Sequence, residues 1–243
     1  MQDFPVKPYN QSDTSKKAQV AEMFDKIAPN YDLMNHLLSF GIDILWRKKA
    51  IGLLKKYTPK LVIDIATGTG DFALEAQALK PNKIIGLDIS TEMIRLGQEK
   101  VNKKGLADLI EMRLGDSEAL QLASNSVDVV TVGFGVRNFE NLKQGLSEIR
   151  RVLRPGGAVA ILEPAFPTKF PMRQLFHLHF SVITPLIGKL ISRDQLAYTY
   201  LPESVKAFPN GEKFIRICQE VGYSKTIYKP LTFGICSLYL LEK

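Results

Sequence analysis

The stretch Val62-Ile63-Asp64-Ile65-Ala66-Thr67-Gly68-Thr69-Gly70-Asp71 decides the fold. A short apolar run beginning at Leu61 ends in a glycine-containing turn and passes at Asp71 into a helical pattern that lasts to Ala78. Residues 83–88, KIIGLD, form a second apolar run. Strand, helix and strand at this spacing make a βαβ unit. The rhythm continues with a helix from about Ser90 to Lys103, strands at Ile110–Leu114 and Val127–Val132, a helix at Leu142–Val152 and a strand at Ala158–Glu163. Arg154-Pro155-Gly156-Gly157 stops the last helix and turns the chain into its strand. Five such strands imply an α/β fold with a doubly wound, mostly parallel sheet. The C-terminal runs Lys225–Leu231 and Ile235–Leu241, joined at Phe233-Gly234, read as a hairpin that adds an antiparallel last strand.

Working outward, the 243 residues fall into one expected domain of four parts: a helical lead over 1–60, the sheet core over 61–163, a helical insertion over 164–209, and a helix with the hairpin over 210–243. Hydrophobic residues at 45% and charged residues at 23% exclude a disordered or fibrous chain. Cys218 and Cys236 form no CxxC pair and have no histidine-rich partner segment, so no zinc site is expected and a reducing compartment is. The polar N-terminal residues lack the apolar core of a signal peptide, which points to the cytoplasm.

The net charge of +7 is unevenly spread. Residues 61–163 carry −2, while 1–60 carry +4 and 164–243 carry +5. Because the basic residues come in pairs such as Lys16/Lys17 and Lys48/Lys49, without a reading motif, nucleic acid is not the expected partner. An anionic membrane surface or an acidic metabolite fits the flanks, as does an ordinary solvated helix face. The apolar stretch 175–191 is interrupted by His177, His179, Pro185 and Lys189 and is too short and polar to span a bilayer. It reads as a lid over a greasy substrate, an interfacial segment or a helix buried in its own domain.

Ligands of open α/β sheets bind beyond the carboxyl ends of the strands, and Gly68 and Gly70 let one approach the first turn closely. The segment from Gly68 to Ala73 also fits a loose dinucleotide pattern. Asp64 and Asp71, however, bracket the turn, and carboxylates there repel a pyrophosphate while favouring the ammonium and sulfonium groups of S-adenosylmethionine. Asp88, closing the second strand, can accept both ribose hydroxyls in either reading. Asp116-Ser117 can meet an adenine edge.

Two further segments make the family recognisable. Tyr31 to Trp46 (YDLMNHLLSFGIDILW) resembles the pattern Y-D-x-M-N-x-x-L-S-x-x-x-H-x-x-W, with Asp43 in place of the usual His. Arg151 to Gly157 leading to Leu162-Glu163 resembles a second family block, with departures at Arg154 and Ala165. Over nearly its full length the chain resembles the ubiquinone/menaquinone-biosynthesis C-methyltransferase family. The resemblance implies the class I methyltransferase fold, Rossmann-like with a seven-stranded sheet, and S-adenosylmethionine as cofactor. It implies cofactor contacts at Thr69, Asp88, Asp116, Ser117 and Gly133, to which the reading of the first turn adds Asp64, Gly68 and Gly70. The reaction implied is ring-carbon methylation of a prenylated quinol such as demethylmenaquinol, with the ubiquinone-pathway precursor or another lipid-like acceptor as alternatives.

Gly133-Phe134-Gly135-Val136-Arg137-Asn138 follows the fourth strand, where the methyl group and the acceptor should meet. Arg137 is placed to stabilise a phenolate, and Asn138 to orient a ring hydroxyl or a water. The proton of the methylated carbon is assigned to a water held by these two, or to His177 or His179. Tyr31, Asn35, Tyr198 and Tyr200 are candidates for the acceptor pocket, with packing as the alternative role. Expected partners are the quinol and, peripherally, an anionic membrane, with a homodimer left open. A protein that binds the cofactor without transferring from it, and a dehydrogenase, are the competing functions.

Overall fold

The computed structural model describes residues 6–9, 13–178 and 196–243. Seven strands form one sheet: β1 (Leu61–Ile65), β2 (Lys83–Asp88), β3 (Ile110–Leu114), β4 (Val127–Gly133), β5 (Leu153–Pro164), β6 (Lys225–Leu231) and β7 (Cys236–Glu242). Their order across the sheet is β3-β2-β1-β4-β5-β7-β6. Neighbours are parallel from β3 to β5, and β7 runs antiparallel to both β5 and β6. The order reverses between β1 and β4, which opens a crevice at their carboxyl ends.

The strands read as unbroken apolar runs because both faces of the sheet are covered. Side chains alternate between two cores. Ile63, Ile65, Val130, Val132 and Ile161 face one core, under helices α6 (Leu142–Val152) and α9 (Glu212–Val221). Val62, Ile84, Val129, Ala160 and Leu240 face the other, under α3 (Ile42–Leu54), α4 (Asp71–Ala76) and α5 (Thr91–Lys103). The remaining helices are α1 (Lys16–Ile27), α2 (Tyr31–Ser39), α7 (Met172–Leu178) and α8 (Leu196–Ala207).

Helix boundaries follow local chemistry. The Ser90 side chain accepts the Met93 N–H and the Asn141 side chain accepts that of Gln144, capping α5 and α6. The Ser90 hydroxyl also donates to Asp25 at 2.6 Å, and Asp25 accepts the Glu92 N–H, so α1 is held against the start of α5. The strand expected from Ala158 begins earlier, at Leu153. Leu153 pairs with Val127 and Ala158 pairs with Val129, so Arg154-Pro155-Gly156-Gly157 is carried as an irregularity inside β5. No described helix separates β3 from β4; turns span that stretch instead.

The lead is fastened to the antiparallel side of the sheet by Glu242 of β7. Its carboxylate accepts from the Tyr57 hydroxyl, and Lys56 and Lys225 each lie 3.0 Å away. The Tyr57 bond, followed by the two lysines, holds the Glu242 carboxyl down at about 2. A depressed carboxyl stabilises the fold fully above its unfolded value near 4.5, and that contribution is lost as the pH falls towards 2. Glu242→Gln should therefore lower stability at pH 7 by about 1 kcal/mol. Denaturant titration should find the gap between variant and parent closing between pH 4.5 and 2; a gap independent of pH would show that charge is not what Glu242 contributes.

Candidate active site

Two cavities meet at the carboxyl ends of β1 and β4. The first is a cleft in which Asp88, Asp116, Ser117 and Asn138 place polar groups among apolar neighbours such as Ile65, Leu87 and Phe139, beside Gly68 and Gly133. The second is a larger, mainly apolar cavity of about 230 Å³, walled by Met23, Met34, Trp46, Phe176 and Ile235 and carrying Arg137 and Tyr200. Phe24, Tyr31 and Phe134 line both, so three aromatic rings form the partition.

In the cleft, Asp88 is buried at the end of β2 and accepts the Gly68 N–H at 2.8 Å through one oxygen and the Ser90 N–H at 2.9 Å through the other. Each carboxylate oxygen has a second lone pair, which leaves a two-pronged acceptor. Burial raises the Asp88 carboxyl, against the pull of these backbone bonds. Gly68 sits at φ +56°, and a Cβ there would come within 3.4 Å of the Tyr31 ring. The turn thus needs a residue at ease in left-handed backbone. A vicinal diol on Asp88 and an amino-purine edge at Asp116-Ser117 fit this donor and acceptor set. A phosphate beside Asp88, Asp116 and Glu118 does not.

Asp64 stands elsewhere. One of its oxygens accepts from Thr67 and the other from Thr131, both at 2.6 Å, and it is fully buried. Burial pushes its carboxyl up to about 6, with the two threonines pulling the other way. Thr69 also lies outside the cleft lining: its hydroxyl bonds Asp32 of α2 and accepts from Lys100 of α5 at 2.9 Å. Gly70 caps α4 at φ +89°.

On the acceptor side, Arg137 lies in a short 3-10 turn after β4. Its Nη1 donates to the Phe134 carbonyl and to Glu163 at 3.1 Å, and the Arg137 N–H donates to the other Glu163 oxygen at 3.2 Å. Glu163 is fully buried at the end of β5, and burial raises its carboxyl despite Arg137. Asn138 accepts the Tyr200 hydroxyl at 3.1 Å, and burial holds Tyr200 up at about 12. Tyr31 and Asn35 both line the apolar cavity. His179 falls outside the described residues, and the His177 and Tyr198 side chains are likewise outside them.

Several functional positions went unread in the sequence. Lys16, expected as half of a surface basic pair, is buried and donates to the Phe139 carbonyl at 2.9 Å and the Arg137 carbonyl at 3.2 Å, tying α1 to the Arg137 turn. Burial, then the nearby Arg137, lowers it to about 8. Lys17 reaches Asp116 at 2.6 Å and Glu118 at 3.3 Å across the cleft mouth. Asp43, Arg47 and Asp71 gather below the apolar cavity, joined by His36. The Lys16, Lys17 and Asp71 contacts join residues too far apart in sequence for any local pattern to pair them, whereas Asp43 and Arg47 are one helical turn apart.

The ubiE/COQ5 methyltransferase family matches residues 12–243. The chain belongs to that family. It is 49% identical over 239 residues to a demethylmenaquinone methyltransferase of Bacteroides fragilis, covering 98% of this chain and 97% of the relative. It is 43% identical over 232 residues to a ubiquinone/menaquinone biosynthesis C-methyltransferase of Geotalea daltonii, covering 95% and 98%. Among solved structures, phosphoethanolamine N-methyltransferase 2 of Haemonchus contortus, in complex with S-adenosyl-L-methionine, superposes with a TM-score of 0.56 at 18% identity, over 80% of this chain and 52% of the other. That likeness fixes the class I methyltransferase fold. This family member is an S-adenosylmethionine-dependent methyltransferase, and the cleft at Asp88 suits such a cofactor.

Replacing Asp88 by Ala removes a charge-assisted acceptor whose bonds are worth about 1.5–3 kcal/mol each. Calorimetry should show S-adenosylmethionine affinity at least tenfold weaker in a folded Asp88→Ala protein; unchanged affinity would remove Asp88 from the ribose.

Proposed function

We propose that this enzyme methylates a ring carbon of demethylmenaquinol to give menaquinol. The observation that carries the reading is an apolar cavity with one guanidinium in its wall, separated from the cofactor cleft only by Phe24, Tyr31 and Phe134. When bound, S-adenosylmethionine supplies a sulfonium methyl that a nucleophilic carbon takes in line, the sulfur keeping the bonding electrons. The chain's own part is to bind, orient and polarise. Asp88 with Asp116-Ser117 fixes one reactant and the apolar walls fix the other, so the encounter becomes effectively intramolecular.

Arg137 stands where a ring oxygen must lie and is held there by Glu163 on one terminal nitrogen. A fixed, buried guanidinium favours the phenolate, the form of the ring most nucleophilic at carbon. Asn138, oriented by the Tyr200 hydroxyl, faces the cleft side of the same turn. We assign it to holding the water that takes the proton from the methylated carbon. His177 and His179 remain the alternative bases. Thr69 and Asp64 line a smaller cavity that shares Tyr31, Gly133 and Phe134 with the cleft, and we keep both among the cofactor-side residues.

The prenyl tail requires a lipid source, and we place the enzyme at an anionic membrane surface. Phe40, which lines the apolar cavity, is 73% exposed and sits beside exposed Leu33, Leu37 and Leu45, with Lys48 and Lys49 exposed next along α3. Apolar rim and basic neighbours are the pairing that interfacial binding uses. No helix among the described residues is long and apolar enough to cross a membrane.

Arg137→Ala should cut turnover on demethylmenaquinol by about 10²–10³ while S-adenosylmethionine affinity stays within a few-fold. Since it also strands Glu163, Arg137→Lys serves as the folded control and should recover part of the rate. Loss of cofactor affinity with saturated turnover intact would make Arg137 a cofactor residue. Separately, sedimentation with vesicles of rising phosphatidylglycerol content should show binding that weakens with salt and falls in Phe40→Ser. Salt-independent binding, or full activity on vesicle-borne quinol without any binding, would overturn the docking.

A further inference from the structure

Arg47 and Asp43 form a second buried ion pair in the wall of the apolar cavity, on α3 and apart from the Arg137 turn. Arg47 Nη2 donates to Asp43 at 2.6 Å and lies 3.4 Å from Asp71. Every side-chain hydrogen bond Arg47 makes among the described residues leaves from Nη2, and its Nε is buried without an acceptor. Arg137 shows the same pattern: its side-chain bonds leave from Nη1, and its Nε is buried without an acceptor. Arg47 Nη1 and Arg137 Nη2 make no hydrogen bond among the described residues, so each guanidinium keeps a terminal donor for a molecule in the cavity that both line.

The two ends differ in what they can accept. Burial alone would raise Asp43, but the Ser39 hydroxyl at 2.6 Å and the Arg47 guanidinium together hold its carboxyl below the usual range, so it stays an acceptor. Its two oxygens offer about four lone-pair sites, and Ser39, Arg47 and His36 do not fill them all. An oxygen brought here meets a donor, Arg47, and an acceptor, Asp43, side by side. A hydroxyl satisfies both. A carbonyl oxygen satisfies Arg47 and is repelled by Asp43. A phenolate is repelled as well, which leaves Arg137 as the end where negative charge develops.

Resting on the quinol reading above, we propose that Asp43 and Arg47 bind the second hydroxyl of the acceptor ring, so that the cavity takes a ring with two oxygens and selects its reduced, dihydroxy form over the quinone. The position where the family pattern has His and this chain has Asp43 thereby acquires a role in substrate choice. A site built to hydrogen-bond a hydroxyl rejects an analogue lacking it far more strongly than a greasy pocket rejects a missing methylene.

The test compares three short-tailed ligands on the full chain loaded with S-adenosylhomocysteine: a 1,4-dihydroxynaphthalene, the matching mono-hydroxynaphthalene and the matching naphthoquinone. Calorimetry on the unaltered protein should show the diol bound at least tenfold more tightly than either of the others. In Asp43→Asn and in Arg47→Lys that preference should fall to about threefold or less, with S-adenosylhomocysteine affinity unchanged as the readout of a folded protein. Equal binding of diol and mono-ol by the unaltered protein would overturn the proposal without use of any variant. So would variants that keep the preference. Turnover of demethylmenaquinol is scored separately: its absence alongside an intact diol preference would refute the assigned acceptor and leave the two-hydroxyl site standing.

Discussion

A single buried carboxylate holds together the crevice on which the rest depends. Asp64 lies at the carboxyl end of β1 and pairs across the sheet with Thr131 of β4, at the place where strand order reverses. By accepting from Thr131 and Thr67 together, it locks the two strands that bound the crevice to the turn that follows β1. An ionised carboxylate with no water around it is costly, and burial raises this one to about 6. Two short hydroxyl bonds offset that cost only while Thr67 and Thr131 keep their positions. The geometry of the Gly68 turn, and through it the N–H that Asp88 accepts, therefore inherits the rigidity of the sheet.

Around that lock the molecule arranges two solvents for two reactants. The cleft offers carboxylates and backbone to a polar cation, while the neighbouring cavity offers methionines, phenylalanines and a tryptophan to an apolar ring. Among the described residues, the charged groups lining the apolar cavity are Asp43, Arg47 and Arg137, and each arginine is bound to a buried acid. Each guanidinium is then held in one orientation before the acceptor arrives, and no reorganisation is needed as charge develops. Lys16 extends the same order outward, because its two carbonyl acceptors belong to the residues on either side of Asn138.

The sheet was legible because parallel strands buried on both faces are runs of apolar residues, and Leu61–Ile65, Lys83–Asp88 and Ile110–Leu114 begin and end within a residue or so of where pattern alone puts them. Asp88 closes β2 at the crevice and Arg137 follows the end of β4 there, so strand ends alone bring both residues to the two cavities. Asp64 shares a strand face with Val62, opposite Ile63 and Ile65, and its bonds to Thr67 and Thr131 were not legible because Thr131 lies 67 residues away on another strand. The Lys17 to Asp116 contact spans 99 residues and the Arg137 to Glu163 pair spans 26. No periodicity encodes such pairings; they exist only once α1 is laid across the crevice and β5 beside β4.

The Trp46 indole N–H donates to the Thr232 hydroxyl at 2.7 Å, 186 residues away, and Thr232 and Ile235 complete one wall of the apolar cavity. During synthesis, β1, β2 and β4 and the turns carrying Gly68 and Asn138 leave the ribosome long before the turn between β6 and β7 does. A nascent chain can thus assemble its cofactor cleft early, while Trp46, Met34 and their neighbours stay without the wall that closes over them. For that interval the future acceptor cavity is an open greasy trough. Such an exposed apolar surface is open to chaperone capture or mispairing.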